Sequence, residues 1–528
     1  MNINVLLGVG GTGAKVVESA LHVLLSGFGP DEGPTEVHVG LVDQDAANGN
    51  TVRTKELLDA IVRLQADLRP GGPDPLDHGD AARPGSPFAR VKLRPLFEGG
   101  VWRPASGERQ TLAQLLERNS LDPDHKSLFD ALFLPGEEEQ DMPLGLGYRG
   151  RAHLGSAALL DSLTPDSEFV RKLAELMDQT GQGRTLRLFI VGSAFGGTGA
   201  AGFPTLSRTL HRMRRDTPRG RTRDVRIGGC LMLPYFGFSD PADEGANVVR
   251  ASELLPQTRT ALEFYDRLLE DPEARPFDRL YLAGWSRWFQ LGYHRAGNRD
   301  QVNPPLAPEL VGALAAIAFL QDETVEPAAR PEVLVASRED GRRVGWRDLP
   351  TLDEARRREL QARLGGLLRF AAYWRLRAEP DVERRRPKVE LLADKGLRGI
   401  DWKGSAAALR QDLGAVLEAT LAWAGALQLT AVREHQGFDL WNVLELAPGS
   451  GEPPPAPTVR VTEALGPDAL RSAYGRILTS AEPTRGAGAV FEAFDEVRHR
   501  GSPPEEAGSG GLARLVHAVH RAARPFDA

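Results

Sequence analysis

Apolar residues in the N-terminal half of the chain come in short continuous runs. Each run meets a glycine-rich turn or an acid and is followed by apolar positions at helical spacing. Residues 2–7 (NINVLL) predict a buried strand, and residues 14–25 (AKVVESALHVLL) predict a helix behind it. EVHVGLVDQD (36–45) predicts a second strand that ends in Asp43 and Asp45. A strand, a glycine loop, a helix and a strand in this order imply a parallel sheet with a right-handed crossover. The pattern recurs in TLRLFIVGSAFGGTGAAGFPTLSRTLHRM (185–213), with further strands at 224–236 and 277–285 separated by a helix over 246–269. Residues 305–320 are apolar on nearly every side, which predicts a centrally buried helix. Residues 66–110, rich in Pro, Gly and Asp, read as loop or insertion. Short helices are predicted at 108–119 and 125–134, and a loop opening a helix at 145–163.

Beyond residue 322 the pattern changes. EVLVASREDGRRVGWRDLP (332–350) alternates around Asp340 and Gly341 and predicts a β-hairpin. Long helical patterns follow at 351–377 and 406–429, then a Pro/Gly-rich linker at 446–458, then short helices broken by a disordered stretch at 501–511. The expected fold class is therefore α/β. A doubly wound, mostly parallel sheet with a central buried helix fills 1–322, with an insertion at about 50–143. A hairpin-plus-helical second domain at 323–447, a linker at 448–458 and partly disordered C-terminal helices at 459–528 follow.

Composition narrows the function classes. A chain of 528 residues is too long for one compact core, and 41% hydrophobic with 26% charged residues is ordinary for a soluble globular protein. A net charge of -7 leaves no basic excess for general nucleic-acid binding, and the basic run at 212–226 reads as a solvated loop. The single cysteine, Cys230, falls in a predicted buried strand and excludes an intrachain disulfide. With no basic leader visible, and the apolar helix at 310–320 too short to span a bilayer, a cytoplasmic protein without an integral membrane segment is expected. The 11 histidines form no metal motif, and neither a G-x-S-x-G elbow nor a G-x-x-x-x-G-K-[ST] loop is present.

What remains is the glycine loops. GVGGTG at 8–13 matches G-x-G-x-x-G through Gly8, Gly10 and Gly13, with Gly11 and Thr12 between them. Glycines there let backbone N–H groups reach phosphate oxygens at a helix N-terminus. With Asp43 on a ribose hydroxyl, this alone fits a dinucleotide site, as in an NAD-dependent oxidoreductase. That reading has no use for the second loop, which runs through Ser193, Phe195, Gly196, Gly197, Thr198 and Gly199. A third loop carries Gly147, Tyr148, Arg149 and Gly150. Three such loops can enclose a di- or triphosphate, with Asp43 and Asp45 as ligands for Mg²⁺.

These motifs and their order resemble the tubulin/FtsZ superfamily. Phe195-Gly196-Gly197-Thr198-Gly199-Ala200-Ala201 is similar to the family's GGGTGTG run, with Phe195 and Ala201 in place of the outer glycines. GVGGTGAK is similar to the FtsZ start GVGGGGGN, LVDQD to the tubulin segment LVDLE, and GLGYRGRAHLGSAAL to the FtsZ γ-phosphate loop and helix. CLMLPYF looks like the FtsZ strand ending in KPF, and 305–320 like the family's central helix. The resemblance implies a divergent bacterial member that binds GTP or GDP with Mg²⁺ and places Asp45 near the metal and terminal phosphates. Glu244 is placed like the ribose-binding acid or is a surface acid, and Asn303 is a guanine contact or an N-cap. Lys15 is a phosphate contact or an exposed helix residue. Arg149 and Arg151 contact phosphate or pair with the acidic run at 136–141.

The family's water-activating loop, GxxNxDxxD, has its nearest counterpart at 345–353, where Asp348 and Asp353 are the candidate catalytic acids; the same stretch reads as the end of a hairpin and a helix N-cap. The implied function is self-association into filaments or oligomers with the nucleotide near the subunit contact, and slow or absent hydrolysis. The alternative is a non-polymerising nucleotide sensor that binds a protein partner through its C-terminal helices.

Overall fold

The computed structural model describes residues 2–30, 35–45, 47–68, 87–105, 110–217, 224–238, 251–271, 275–286, 289–292, 302–326, 330–337, 344–350, 352–375, 379, 407–433, 438–441 and 443. The strands are β1 (Ile3–Val9), β2 (Thr35–Val42), β3 (Val91–Pro95), β4 (Val101–Trp102), β5 (Leu186–Ser193), β6 (Val225–Met232), β7 (Phe236–Phe238), β8 (Arg279–Ala283), β9 (Phe289–Leu291) and β10 (Glu332–Ala336). The helices are α1 (Gly10–Leu25), α2 (Gly49–Asp67), α3 (Pro87–Arg90), α4 (Leu112–Leu115), α5 (Pro123–Leu132), α6 (Ala152–Ser162), α7 (Glu168–Met177), α8 (Gly197–Asp216), α9 (Leu254–Glu270), α10 (Ala307–Gln321), α11 (Glu354–Tyr373) and α12 (Ala407–Arg433).

The main sheet runs β10-β8-β6-β5-β1-β2-β3, with β4 also on β2, and every pairing in it is parallel. The chain winds outward from β1 to β3, then restarts at β5 and winds the other way, so the strand order reverses between β1 and β5. The two sheet faces bury separate cores. Leu6 of β1 packs with α1, α2, α10, α11 and α12 on one face, while Val5 and Leu7 pack with α7, α8 and α9 on the other. This is the alternation of a strand covered on both sides. The predicted central helix is α10, in which only Ala318 and Gln321 escape burial. Cys230 lies buried in β6, where burial pushes its thiol up to about 12.

Three sequence expectations change. The stretch at 66–110 is not all loop: α2 runs through Asp67, and β3 and β4 extend the sheet past β2. Residues 332–336 do not fold back as a hairpin. They pair in parallel with β8 as the sheet's edge strand, and Val344, beyond Asp340 and Gly341, bridges to Phe438. Among the described residues, the helices after residue 322 do not form a core of their own, because α11 and α12 pack into the same cluster as α1 and α2. At that seam Trp423 Nε1 donates to Ser19 Oγ at 3.1 Å, and its ring stacks on buried His22 at 4.9 Å. The linker and the segment after it lie outside the described residues. One described helix, over Ala407–Ala431, is long and apolar enough to cross a membrane, and most of it is buried in the protein. In the basic run, Arg214 is not solvated: it is buried against Asp278 at 2.8 Å.

Candidate functional site

A cleft of about 1180 Å³, its open mouth included, lies outside the carboxyl ends of β1 and β5. This is the place where the strand order reverses and where open α/β sheets bind ligands.

The two GGTGA loops form adjoining walls of this cleft. Gly10 (φ +69) sits so close to the second loop that a Cβ on it would lie 2.9 Å from Gly199 N. Helices α1 and α8 start here, at Gly10 and Gly197, and neither has a side-chain cap or an acid in its first turn. The orphan N–H groups and positive dipole ends of two long helices therefore meet in one cleft, an arrangement suited to an anion. Gly11, Thr12, Ser193, Phe195, Gly196 and Thr198 complete these walls. Gly8 and Gly13 do not line the cleft. A Cβ on Gly13 would lie 2.6 Å from Val191 O, and one on Gly8 2.8 Å from Gly13 O, so these two glycines let the turn lie against β5.

The acids at the end of β2 face the same space. Asp43 is buried and accepts hydrogen bonds from Thr51 Oγ1 (2.6 Å), Asn48 Nδ2 (3.1 Å) and Asp45 N (3.3 Å). Burial, with the Asp45 charge adding to it, pushes its carboxyl up to about 6. Asp45 accepts from Ala47 N at 2.9 Å and also lines the cleft. Hard oxygens with a carboxyl held unusually basic fit a divalent cation that takes one or two carboxylates and completes its shell with water and phosphate. Among the described residues no group of three or more acidic, His or Cys side chains exists that would hold a metal without such help.

No protein-family model matches the chain, and no curated protein sequence matches it.

The third loop lies over the second. A Cβ on Gly197 would lie 2.9 Å from Tyr148 Cβ, and one on Gly147 would lie 3.1 Å from Asp45 Cβ. Tyr148 is buried, and its hydroxyl has no hydrogen-bond partner among the described residues. The two arginines of this loop part ways. Arg151 pairs with Glu139 of the acidic run at 3.3 Å, whereas Arg149 lines the cleft. Lys15 also borders the cleft but is no exposed helix residue: it is buried and ion-paired with Glu309 of α10. Glu309 further accepts from Tyr235 Oη at 2.7 Å and Leu306 N at 2.8 Å. Burial pulls the Lys15 ammonium down and the Glu309 carboxyl up, and each partner opposes the other's shift.

The remaining wall is apolar: Phe236, Phe238, Leu254 and Leu291, on or beside the small parallel pair β7-β9, with Phe195 packed edge-on to Phe236 at 5.5 Å. Asn303 borders this wall. It is not the cap of α10, a place taken by Leu306; its backbone is held by Asn50 Oδ1 at 2.9 Å and Arg53 Nη1 at 3.0 Å. Glu244 lies outside the described residues.

Asp348 and Asp353 are not among the residues lining the cleft. Asp353 caps α11 by accepting from Arg356 N at 2.8 Å, and Asp348 accepts from Gly345 N at 2.7 Å. Replacing Asp353 with alanine is expected to lower stability by about 1 kcal/mol in denaturant melts. A change in nucleotide turnover as well would show that the loop serves a neighbouring subunit's site.

Sequence reasoning missed Asn48 and Asn50. Both line the cleft, and Asn48 caps α2 while it holds Asp43. The signal was present in Asn-Gly-Asn just ahead of a helix, an N-cap composition.

Proposed function

We propose that this chain binds a guanine nucleotide, GTP or GDP, together with Mg²⁺ in the cleft between its two glycine loops, as a divergent relative of tubulin and FtsZ. The observation that carries the reading is the approach of Gly10 to Gly199, which brings two uncapped helix N-termini onto one ligand. A dinucleotide site needs one such loop; a polyphosphate enclosed from several sides uses both. Asp43 and Asp45 are the residues to hold the metal, which would draw charge from the phosphate oxygens. The apolar wall of Phe236, Phe238 and Leu291 suits a base, and the Asn303 amide offers it a donor and an acceptor. Self-association into filaments or oligomers belongs to this reading, with hydrolysis slow or absent.

A second reading, a nucleotide-sensing adaptor that does not polymerise and binds a protein partner through its helical C-terminal part, draws support from the engagement of Asp348 and Asp353 in local turns. Chromatographic identification of nucleotide released from the purified protein tests the shared core of both. GTP or GDP is the expected result, and NAD(H) or no nucleotide, with no binding on titration, overturns it. Sedimentation with GTP and Mg²⁺ then separates polymer from adaptor.

A further inference from the structure

We infer that Arg53 is the positioning residue for the base end of the cleft: by clamping the backbone of Asn303 it holds that segment in place and so sets how sharply the site tells one base from another. The inference rests on the nucleotide reading above and gives a role to a residue that does not itself line the cleft.

The segment that carries Asn303 has few ways to be held. Pro304 and Pro305, which follow it, have no N–H, so no backbone donor stands between Asn303 and the capping residue Leu306. Both backbone groups of Asn303 are taken instead by α2. Asn50 Oδ1 accepts from Asn303 N at 2.9 Å, and Arg53 Nη1 donates to Asn303 O at 3.0 Å across 250 residues of sequence. Asn50 and Arg53 are three apart, which makes them neighbours on the surface of α2. Among the described residues the side-chain amide of Asn303 makes no hydrogen bond, so it is the polar group of this cleft-lining residue left for a ligand.

Arg53 is itself fixed. Its Nε and Nη2 form a fork on Glu18 of α1, at 2.7 and 2.6 Å, which leaves Nη1 for Asn303 O. Burial works against the guanidinium charge, but the Glu18 carboxylate outweighs it and raises its hold on its proton. A planar guanidinium can do both tasks at once; a lysine ammonium is a point charge without that fixed geometry. Through Arg53 the Asn303 segment is thus tied to α1, the helix that starts at the first glycine loop. Donors and acceptors discriminate between base edges only when held in place. An amide that shifts with its segment accommodates either base.

The test is calorimetric titration of the full chain with GDP and with ADP in Mg²⁺. The wild type is expected to prefer GDP. Arg53→Gln alone would leave buried Glu18 without its cation, so it is joined with Glu18→Gln, which removes both charges. This pair is expected to lower the preference for GDP over ADP about 10-fold. Beside Asn303→Ala it should lower the preference no further, because both act through one amide. Arg53→Lys keeps a cation for Glu18 but not the fork; it should lose part of the preference, and it decides the matter if the pair fails to fold. Equal weakening of both nucleotides, an unchanged preference, or the same further loss beside Asn303→Ala overturns the assignment of Arg53 alone. A wild type that binds neither nucleotide, or binds without preferring GDP, overturns the guanine reading and this inference with it.

Discussion

Asp43→Asn is expected to make the ligand-free protein more stable and to abolish the Mg²⁺-dependent part of nucleotide binding. Both effects come from one carboxyl. In the unfolded chain it titrates near 3.8; in the fold, burial and the Asp45 charge push it up to about 6. Below pH 4 it is protonated in both states and costs nothing. Between about pH 4 and 6 the folded state holds a proton that the unfolded chain has released, so stability falls as pH rises. Above pH 6 the penalty is complete, about 3 kcal/mol at most for a shift of this size. Asparagine is never charged, and with its amide oxygen in place of Oδ2 it keeps the bonds from Thr51 and Asn48. Denaturant melts should show a gain for the variant at pH 8 that vanishes near pH 4. Titration with nucleotide should show the wild type's response to Mg²⁺ fading below pH 6 and the variant without one. A variant less stable at pH 8, or one that still responds to Mg²⁺, contradicts this account.

Lys15→Met is expected to cost about 3–5 kcal/mol, the effect of leaving a fully buried acid without its cation. Methionine fills the space of the lysine stem but leaves Glu309 with only Tyr235 and Leu306 N as donors. The Glu309 carboxyl, already raised by burial, then rises further. Its protonated form is the cheaper one to bury, so the loss should be larger at pH 8 than at pH 5. The double variant with Glu309→Gln removes both charges and should recover most of the stability. That comparison of single and double variants in urea melts measures the pair itself. Equal losses in single and double variants would mean that packing, and not charge, is the cause.

How legible was this in the sequence? Strands β1, β5 and β6 and their helices were plain, since continuous apolar runs beside glycine loops have few other meanings in water. β3 was not, and β10 reads as one arm of a hairpin, because both are edge strands whose pairing is set by a neighbouring strand. In β3 the last two residues, Arg94 and Pro95, are exposed, and β10 leaves Val333 and Val335 in water. Register and partner there depend on the neighbouring strand, which local pattern does not encode. At the site, the spacing of GVGGTG pointed to a loop lining a cleft but could not sort its glycines. Gly10 and Gly11 face the cleft while Gly8 and Gly13 serve packing, a difference set by β5, which follows far along the chain. Lys15 read as a phosphate contact or a surface residue for the same reason: its partner, Glu309, arrives with a helix almost three hundred residues later. Asn48, by contrast, was readable locally and was overlooked beside the acids it supports.

The seam at Trp423 and His22 bears on how the molecule can be taken apart. The change of pattern near residue 323 invites a cut there, to leave the unit with the glycine loops on its own. Yet α1 leaves the first glycine loop and ends beneath α12, and Leu413, Leu417, Trp423 and Trp441 are buried in the core they share. The cut would bare that apolar surface along the very helix whose N-terminus borders the cleft. What looks in the sequence like a head and a detachable tail shares one core among the described residues, and α1, which borders the cleft, is braced by helices more than three hundred residues later.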